Sequence, residues 1–175
     1  MSLNGPGVYH LNSDKIAYKA VYCRKINSTD KNHKWFKSVA TLRIKKDTTI
    51  VVPQTWSSRH NGLMRTGEAH VEAIEDLDEM EINTNEYECI SSGIKGPHVK
   101  IGYDENGIMY GLGIYSADEQ IALYKLQRET PNYSYRIGEI IKSIRPLDKR
   151  PGVYDGEGIF CYEQKSQAKE SEEYY

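Results

Sequence analysis

Side chains that alternate in polarity with a period of two recur along this chain, and that period commits it to a β-sheet with one face turned inward. Over residues 36–45, Phe36, Ser38, Ala40, Leu42 and Ile44 share one face, with Lys37, Thr41, Arg43 and Lys45 largely on the other. Residues 16–26, rich in Tyr, Val and Ile, supply an antiparallel neighbour across the polar connection 27–32. A β-branched run at 48–52 stops at Pro53, and 68–75 alternates again with Ala69, Val71 and Ala73 facing one way. The Asn106-Gly107 turn joins 98–103 to 108–110 as a hairpin. Further strands are expected at 133–144, bulged at Gly138, and at 158–162.

Two helices complete the expected elements. Ser116, with Glu119 three residues on, forms a capping box for a helix that ends before Pro131. The second covers 163–175, with Ala168 and Tyr174 inward and its Glu-rich end fraying from residue 169. The expected class is therefore α+β, mainly antiparallel sheet with one or two helices packed on one face, in a single domain over 1–175.

Composition narrows the function classes. No run approaches the roughly 18 apolar residues that cross a bilayer, and no basic start followed by an apolar stretch opens the chain, so a soluble, cytoplasmic protein with no membrane partner is expected. Three widely spaced cysteines, Cys23, Cys89 and Cys161, argue against a disulfide framework and against a Cys-x-x-Cys zinc site, and so for a reducing compartment. A net charge of -2 does not announce a nucleic-acid partner. Fourteen tyrosines against two Phe and two Trp place hydroxyls on most of the aromatic area, so the core lies close to polar surface. Charge is nonetheless segregated: 15–46 is a basic block containing the single acid Asp30, and 68–88 is an acidic block without Lys or Arg. The two either solvate separate faces, meet across a sheet, or form a bipolar surface for partners.

Candidate sites are few. The loop 57–67 carries Arg59, His60 and Arg65 with glycines at 62 and 67, groups suited to an anionic ligand, or else it is a disordered connection. On one strand face, Glu68, His70 and Glu72, joined by His98 from a neighbouring strand, have the types and spacing of an acid-base or divalent-metal site; the alternative is a solvated polar face over inward Ala69, Val71 and Ala73. Lys31 to Lys37 interleaves cations with Trp35 and Phe36, which fits a strand entry better than a single-stranded nucleic-acid site. No serine, threonine or cysteine lies in a nucleophile elbow, and Cys161 reads as a small core residue. No metal or cofactor is assigned. An internal echo, Gly111-Leu112-Gly113-Ile114-Tyr115 and Gly156-Glu157-Gly158-Ile159-Phe160, has its apolar residues after the glycines, the reverse of a dinucleotide-binding turn.

Two resemblances add to this. The segment from Gly111 to Ala117, with Ala122 and Tyr124, resembles the Gly-x-Gly-Ile-Tyr region of poly-ADP-ribose polymerase-type ADP-ribosyltransferases. That resemblance implies Tyr115 stacked on nicotinamide, with His60-Asn61-Gly62 the nearest counterpart of the family's ribose-gripping His-Gly. Across most of the chain, Ala17 to Val21, Val39 to Ile44, Ala69 to Asp76, Tyr135 to Glu139 and Gly158 to Phe160, with Ala168 and Tyr174, resemble an accessory domain of phage and giant-virus proteins often found beside pentapeptide repeats. That domain's Cys and His around the final Gly-Ile are replaced here by Glu157 and Phe160. The expected function is a non-catalytic binding or accessory module of viral or phage type, recognising a protein or small anionic ligand through Arg59, His60, Arg65, Tyr115 and the tyrosine-rich surface. The alternative is an ADP-ribosyltransferase-like or other nucleotide-handling enzyme using Tyr115, His60 and Arg59.

Overall fold

A computed structural model describes residues 5–26, 35–54, 62–91, 132–153 and 156–171, and the backbone of 100–103 and 109–112. These residues are mostly antiparallel sheet with one short helix. In chain order the strands are β1 (Gly7–His10), β2 (Lys15–Lys25), β3 (Phe36–Ile44), β4 (Thr49–Val52), β5 (Leu63–Thr66), β6 (Glu68–Asp76), β7 (Tyr87–Ser91), β8 (Lys100–Tyr103), β9 (Met109–Leu112), β10 (Tyr133–Ser134), β11 (Ile140–Lys142) and β12 (Ile159–Tyr162); the helix α1 is Lys165–Glu170. Strands β8 and β9 pair with each other; the rest join one sheet in the order β1-β4-β5-β12-β2-β3-β6-β11, with β7 on β2 and β10 on β7.

The long strands follow the alternation. From Lys15 to Cys23, β2 pairs with β3 in unbroken register, Lys15 opposite Ile44 and Cys23 opposite Phe36. Their inward residues, Ala17, Val21, Cys23, Ala40, Leu42 and Ile44, are buried in one core with Val71 and Ile74 of β6 and Ile159 and Cys161 of β12. Because β3 holds β6, β6 holds β11, β2 holds β7 and β7 holds β10, the continuous segment 133–142 carries the sheet from its β7 side round to its β6 side. The sheet is thereby curled into a ring of strands around that core. A smaller apolar layer lies on the opposite face, where Ala168 of α1 meets Val39, Leu63, Phe160, Tyr162 and Tyr18.

Several expectations are corrected. Residues 63–66, placed by sequence in the long loop, form β5; all four are buried because β5 lies between β4 and β12 with apolar layers on both faces, so the alternation signal disappears. In β6 the pairing with β3 shifts between Thr41 and Leu42, leaving Glu72 as a bulge residue. The inward phase therefore moves from Ala69 and Val71 to Ile74, and Ala73 is only half-buried. The strand expected over 133–144 is two short strands, broken where Gly138 takes φ +89° and donates its N–H to the Val71 carbonyl at 2.8 Å. The expected C-terminal helix runs only from Lys165 to Glu170 and is capped at Ser171, where Lys37 Nζ donates to the carbonyls of Lys169 and Ser171 at 2.6 and 2.7 Å. The helix expected after Ser116 and the Asn106-Gly107 turn lie outside the described residues.

The cysteine expectation is overturned as well. Cys23 and Cys89, opposite each other on β2 and β7, form a disulfide, and Cys161 lies buried on β12. Sequence spacing could not show this, because the two residues are 66 apart and meet through strand register alone.

Candidate functional site

The two charged blocks meet. Basic β3 lies beside acidic β6, and Arg43 Nε donates to Glu72 Oε1 at 2.6 Å. Basic β2 lies beside β7, where Arg24 Nε donates to Glu88. Arg24 also stacks over Trp35, its guanidinium 4.5 Å from the ring centroid. Helix α1 adds Lys165 to Glu75 at 3.2 Å and Lys169 to Glu79 at 3.4 Å. These are partly exposed pairs that water and salt screen, so they fix register and quench charge more than they stabilise.

Around the Glu72 bulge the charges form a chain. Asp14 is 3.7 Å from both Arg43 and Lys45. The Lys46 N–H donated to Asp14 holds its carboxyl below the usual range, with Lys45 and Arg43 adding to the effect. The hydrogen bond to Glu72 raises Arg43. Glu68, His70 and Glu72 stand on β6 as expected, Glu68 and Glu72 exposed and His70 half-buried. Glu72, however, is engaged by Arg43, and His70 lies opposite Arg43 on one side and Ile140 on the other. Among the described residues no three His, Cys, Asp or Glu side chains are grouped to hold a metal ion. His98 lies outside the described residues.

Of the four residues assigned to an anionic ligand, Arg59, His60 and Tyr115 fall outside the described residues. Arg65 lies on β5 at 0% exposure. Its Nε donates to the Asp148 carbonyl at 2.9 Å, Nη1 to Val153 at 2.7 Å and Nη2 to Arg150 at 2.7 Å. The guanidinium thus gathers the strap 148–153 against the sheet, a task for which its fixed fork of donors is suited. Asp148 completes the anchor: Arg150 donates to both its oxygens at 3.0 and 2.7 Å, and these bonds, with Arg65 nearby, bring the Asp148 carboxyl down to about 2. The second Gly-x-Gly serves the same packing. A Cβ on Gly158 would stand 2.8 Å from Leu147 and 3.1 Å from Arg65, and one on Gly156 would stand 2.7 Å from Asp148.

Sequence reasoning missed the polar groups of the interior. Lys19 points inward from β2 between Ala17 and Val21 at 4% exposure, and burial pulls its ammonium down to about 8, partly offset by Cys161. Ser91 and Tyr135 share a buried hydrogen bond of 2.8 Å. The inward period of β2 marks Lys19 as a core position, and that is the signal available for finding it. At the surface, Ile137, Ile140 and Ile144 are 42%, 48% and 41% exposed on and around β11, the strand at one end of the sheet order. Arg136, Glu139, Lys142 and Arg145 are exposed around them.

Among known proteins, the chain is similar to "Uncharacterized protein L94" of Acanthamoeba polyphaga mimivirus, with 77% identity over 128 residues, covering 73% of this chain and 96% of that protein. It is also similar to "Uncharacterized protein L87" of the same virus, with 25% identity over 162 residues and 89% of each chain covered. No family model and no solved structure matches. The viral part of the sequence resemblance is borne out by these relatives. No helix of the described residues is long and apolar enough to cross a membrane.

Proposed function

From the premise that the chain belongs to the family of the mimivirus protein L94, we propose that it is a non-catalytic viral binding module that recognises a protein through the β11 end of its sheet. One observation carries this: Ile137, Ile140 and Ile144 are exposed on and beside β11, with the exposed Arg136, Glu139, Lys142 and Arg145 close to them in the chain. Exposed apolar side chains flanked by charged ones have the composition of a recognised surface. The charged groups of the strap and the bulge, by contrast, serve the fold: Arg65 and Asp148 hold the strap, and Arg43 and Glu72 hold the bulge.

The test compares wild type with Ile140→Asp and Ile144→Asp in affinity capture from infected host cells. Both positions are exposed, so both variants are expected to keep the wild-type melting temperature and to lose the captured protein. Capture of the same protein at the same level by both variants overturns the proposal.

The second reading, a small anionic or nucleotide ligand, rests on Arg59, His60 and Tyr115, since Arg65 is enclosed. NAD at millimolar concentration is expected to leave the melting temperature unchanged. A rise that disappears in Tyr115→Ala transfers the function to that site, because a ligand binding the native state must stabilise it.

A further inference from the structure

The Cys23–Cys89 disulfide lies where no reagent reaches it. The two residues are 0% and 1% exposed, and they belong to the core formed by Ala17, Val21, Ala40 and Tyr135. On β3, Phe36 faces Cys23, and its ring meets Tyr87 edge-on at 5.8 Å; both rings pack against that same core. The ladder continues on either side of the bond, with Tyr22 opposite Ile90 and Arg24 opposite Glu88, the latter closed by the Arg24–Glu88 ion pair. Thiol–disulfide exchange needs a thiolate to approach a sulfur directly, which this packing forbids in the native state. The third cysteine does not substitute. Cys161 lies on β12, which joins β2 at Tyr18, on the stretch of β2 away from Cys23.

We propose that this chain is the substrate of a disulfide-forming reaction during its own folding, in which a disulfide-bearing oxidant joins Cys23 to Cys89 before the β2–β7 ladder closes. One of the two thiolates attacks the oxidant's disulfide, forming a mixed disulfide and releasing one oxidant thiolate. The other cysteine's thiolate then attacks the chain sulfur of that mixed disulfide, releasing the second oxidant thiolate. The chain gives up two thiol protons and two electrons, and the oxidant's disulfide becomes a dithiol. The closed fold accommodates this pairing and no pairing through Cys161: Cys23 and Cys89 are opposite each other, and Cys161 is opposite Met64. The reaction preceding the functional protein is therefore a dithiol oxidation, and the setting in which the chain matures is oxidising at that step.

The experiment uses the full chain purified from virus-producing host cells, trapped in acid and alkylated with iodoacetamide in denaturant without reductant. Alkylation of Cys161 alone, with a peptide pair joined through Cys23 and Cys89 by mass spectrometry, is the expected result. Three alkylated cysteines, or a bond involving Cys161, overturn the proposal. A second measurement tests the order of events without any variant. Dithiothreitol is expected to reduce the native protein at least about a hundredfold more slowly than the urea-unfolded protein, because reduction must wait for the ladder to open. Equal rates overturn the claim that the bond precedes closure.

Discussion

Replacing Arg65 by methionine is expected to lower stability by about 3–5 kcal/mol, because it leaves three enclosed carbonyls without their donor at a cost of about 1–3 kcal/mol each. The figure follows from the anchor's geometry. Three carbonyls, those of Asp148, Arg150 and Val153, accept from the guanidinium at 2.7 to 2.9 Å, and hydrogen bonds to a charged donor contribute about 1.5–3 kcal/mol each. Their sum overshoots, because methionine also removes the several kcal/mol needed to take a guanidinium out of water. Methionine preserves the packing of the stem, so the measured loss reports the fork of donors. Arg65→Lys keeps the charge but not the fork, and should also destabilise. Urea unfolding followed by far-UV circular dichroism gives the overall loss. Amide exchange locates it: the N–H groups of Asp148, Val153 and Gln54, which bond to Glu157, Arg150 and Pro151, should exchange faster while those of β2 and β3 are slowed as before. A loss below about 1 kcal/mol with unchanged exchange would refute the anchor and return Arg65 to the set of ligand-binding cations.

Three further outcomes follow from the same groups. Lys19 has a native value of about 8 against 10.5 unfolded, so the unfolded chain binds the extra proton between those values and stability should rise as pH climbs from 8 to 10.5. The rise is on the order of 3 kcal/mol, and it should vanish in Lys19→Met when the two pH profiles are subtracted. Asp148 is depressed to about 2 from 3.8, so its contribution is complete above pH 4 and is lost as pH falls toward 2; acid unfolding of Asp148→Asn should lack that portion, and identical acid limbs would contradict the Arg150 contact. Gly158→Ala should destabilise through both its φ of +149° and overpacking against Leu147 and Arg65, the latter adding about 1–3 kcal/mol, whereas Gly138→Ala, at φ +89°, meets open space and should suffer from its positive φ alone; urea midpoints of the two variants make the comparison.

Where burial is one-sided, alternation carried the fold: β2 and β3 lie within a residue or two of their sequence-derived bounds, and Ala168 faces inward as expected. It failed where both faces are covered, as in β5, and where the ladder slips, as at Glu72, since an added residue reverses every later side chain. Strand β7, five residues with Glu88 paired to Arg24 and two apolar residues in a row, Cys89 and Ile90, is too short and too irregular in its alternation to announce itself. The candidate sites were less legible for a related reason. An arginine among Gly, His and Asn reads as solvent-facing, because nothing local to Arg65 reveals that carbonyls more than eighty residues onward will fold over it. Likewise the basic and acidic blocks are visible in sequence, but their meeting depends on which strands become neighbours.

The segment 133–142 acts as the clasp of the molecule. Its two ends are fastened, Tyr135 N–H to the Cys89 carbonyl at 2.8 Å at one, and Gly138 N–H to the Val71 carbonyl at 2.8 Å with Val71 N–H to the Glu139 carbonyl at 3.0 Å at the other, while Arg136 and Ile137 between them are exposed. A single peptide cleavage there would leave both fastenings in place but uncouple them. The strands on either side would then breathe independently, and the sealed interior that shelters Lys19 and the sulfur bridge would admit solvent from that side first.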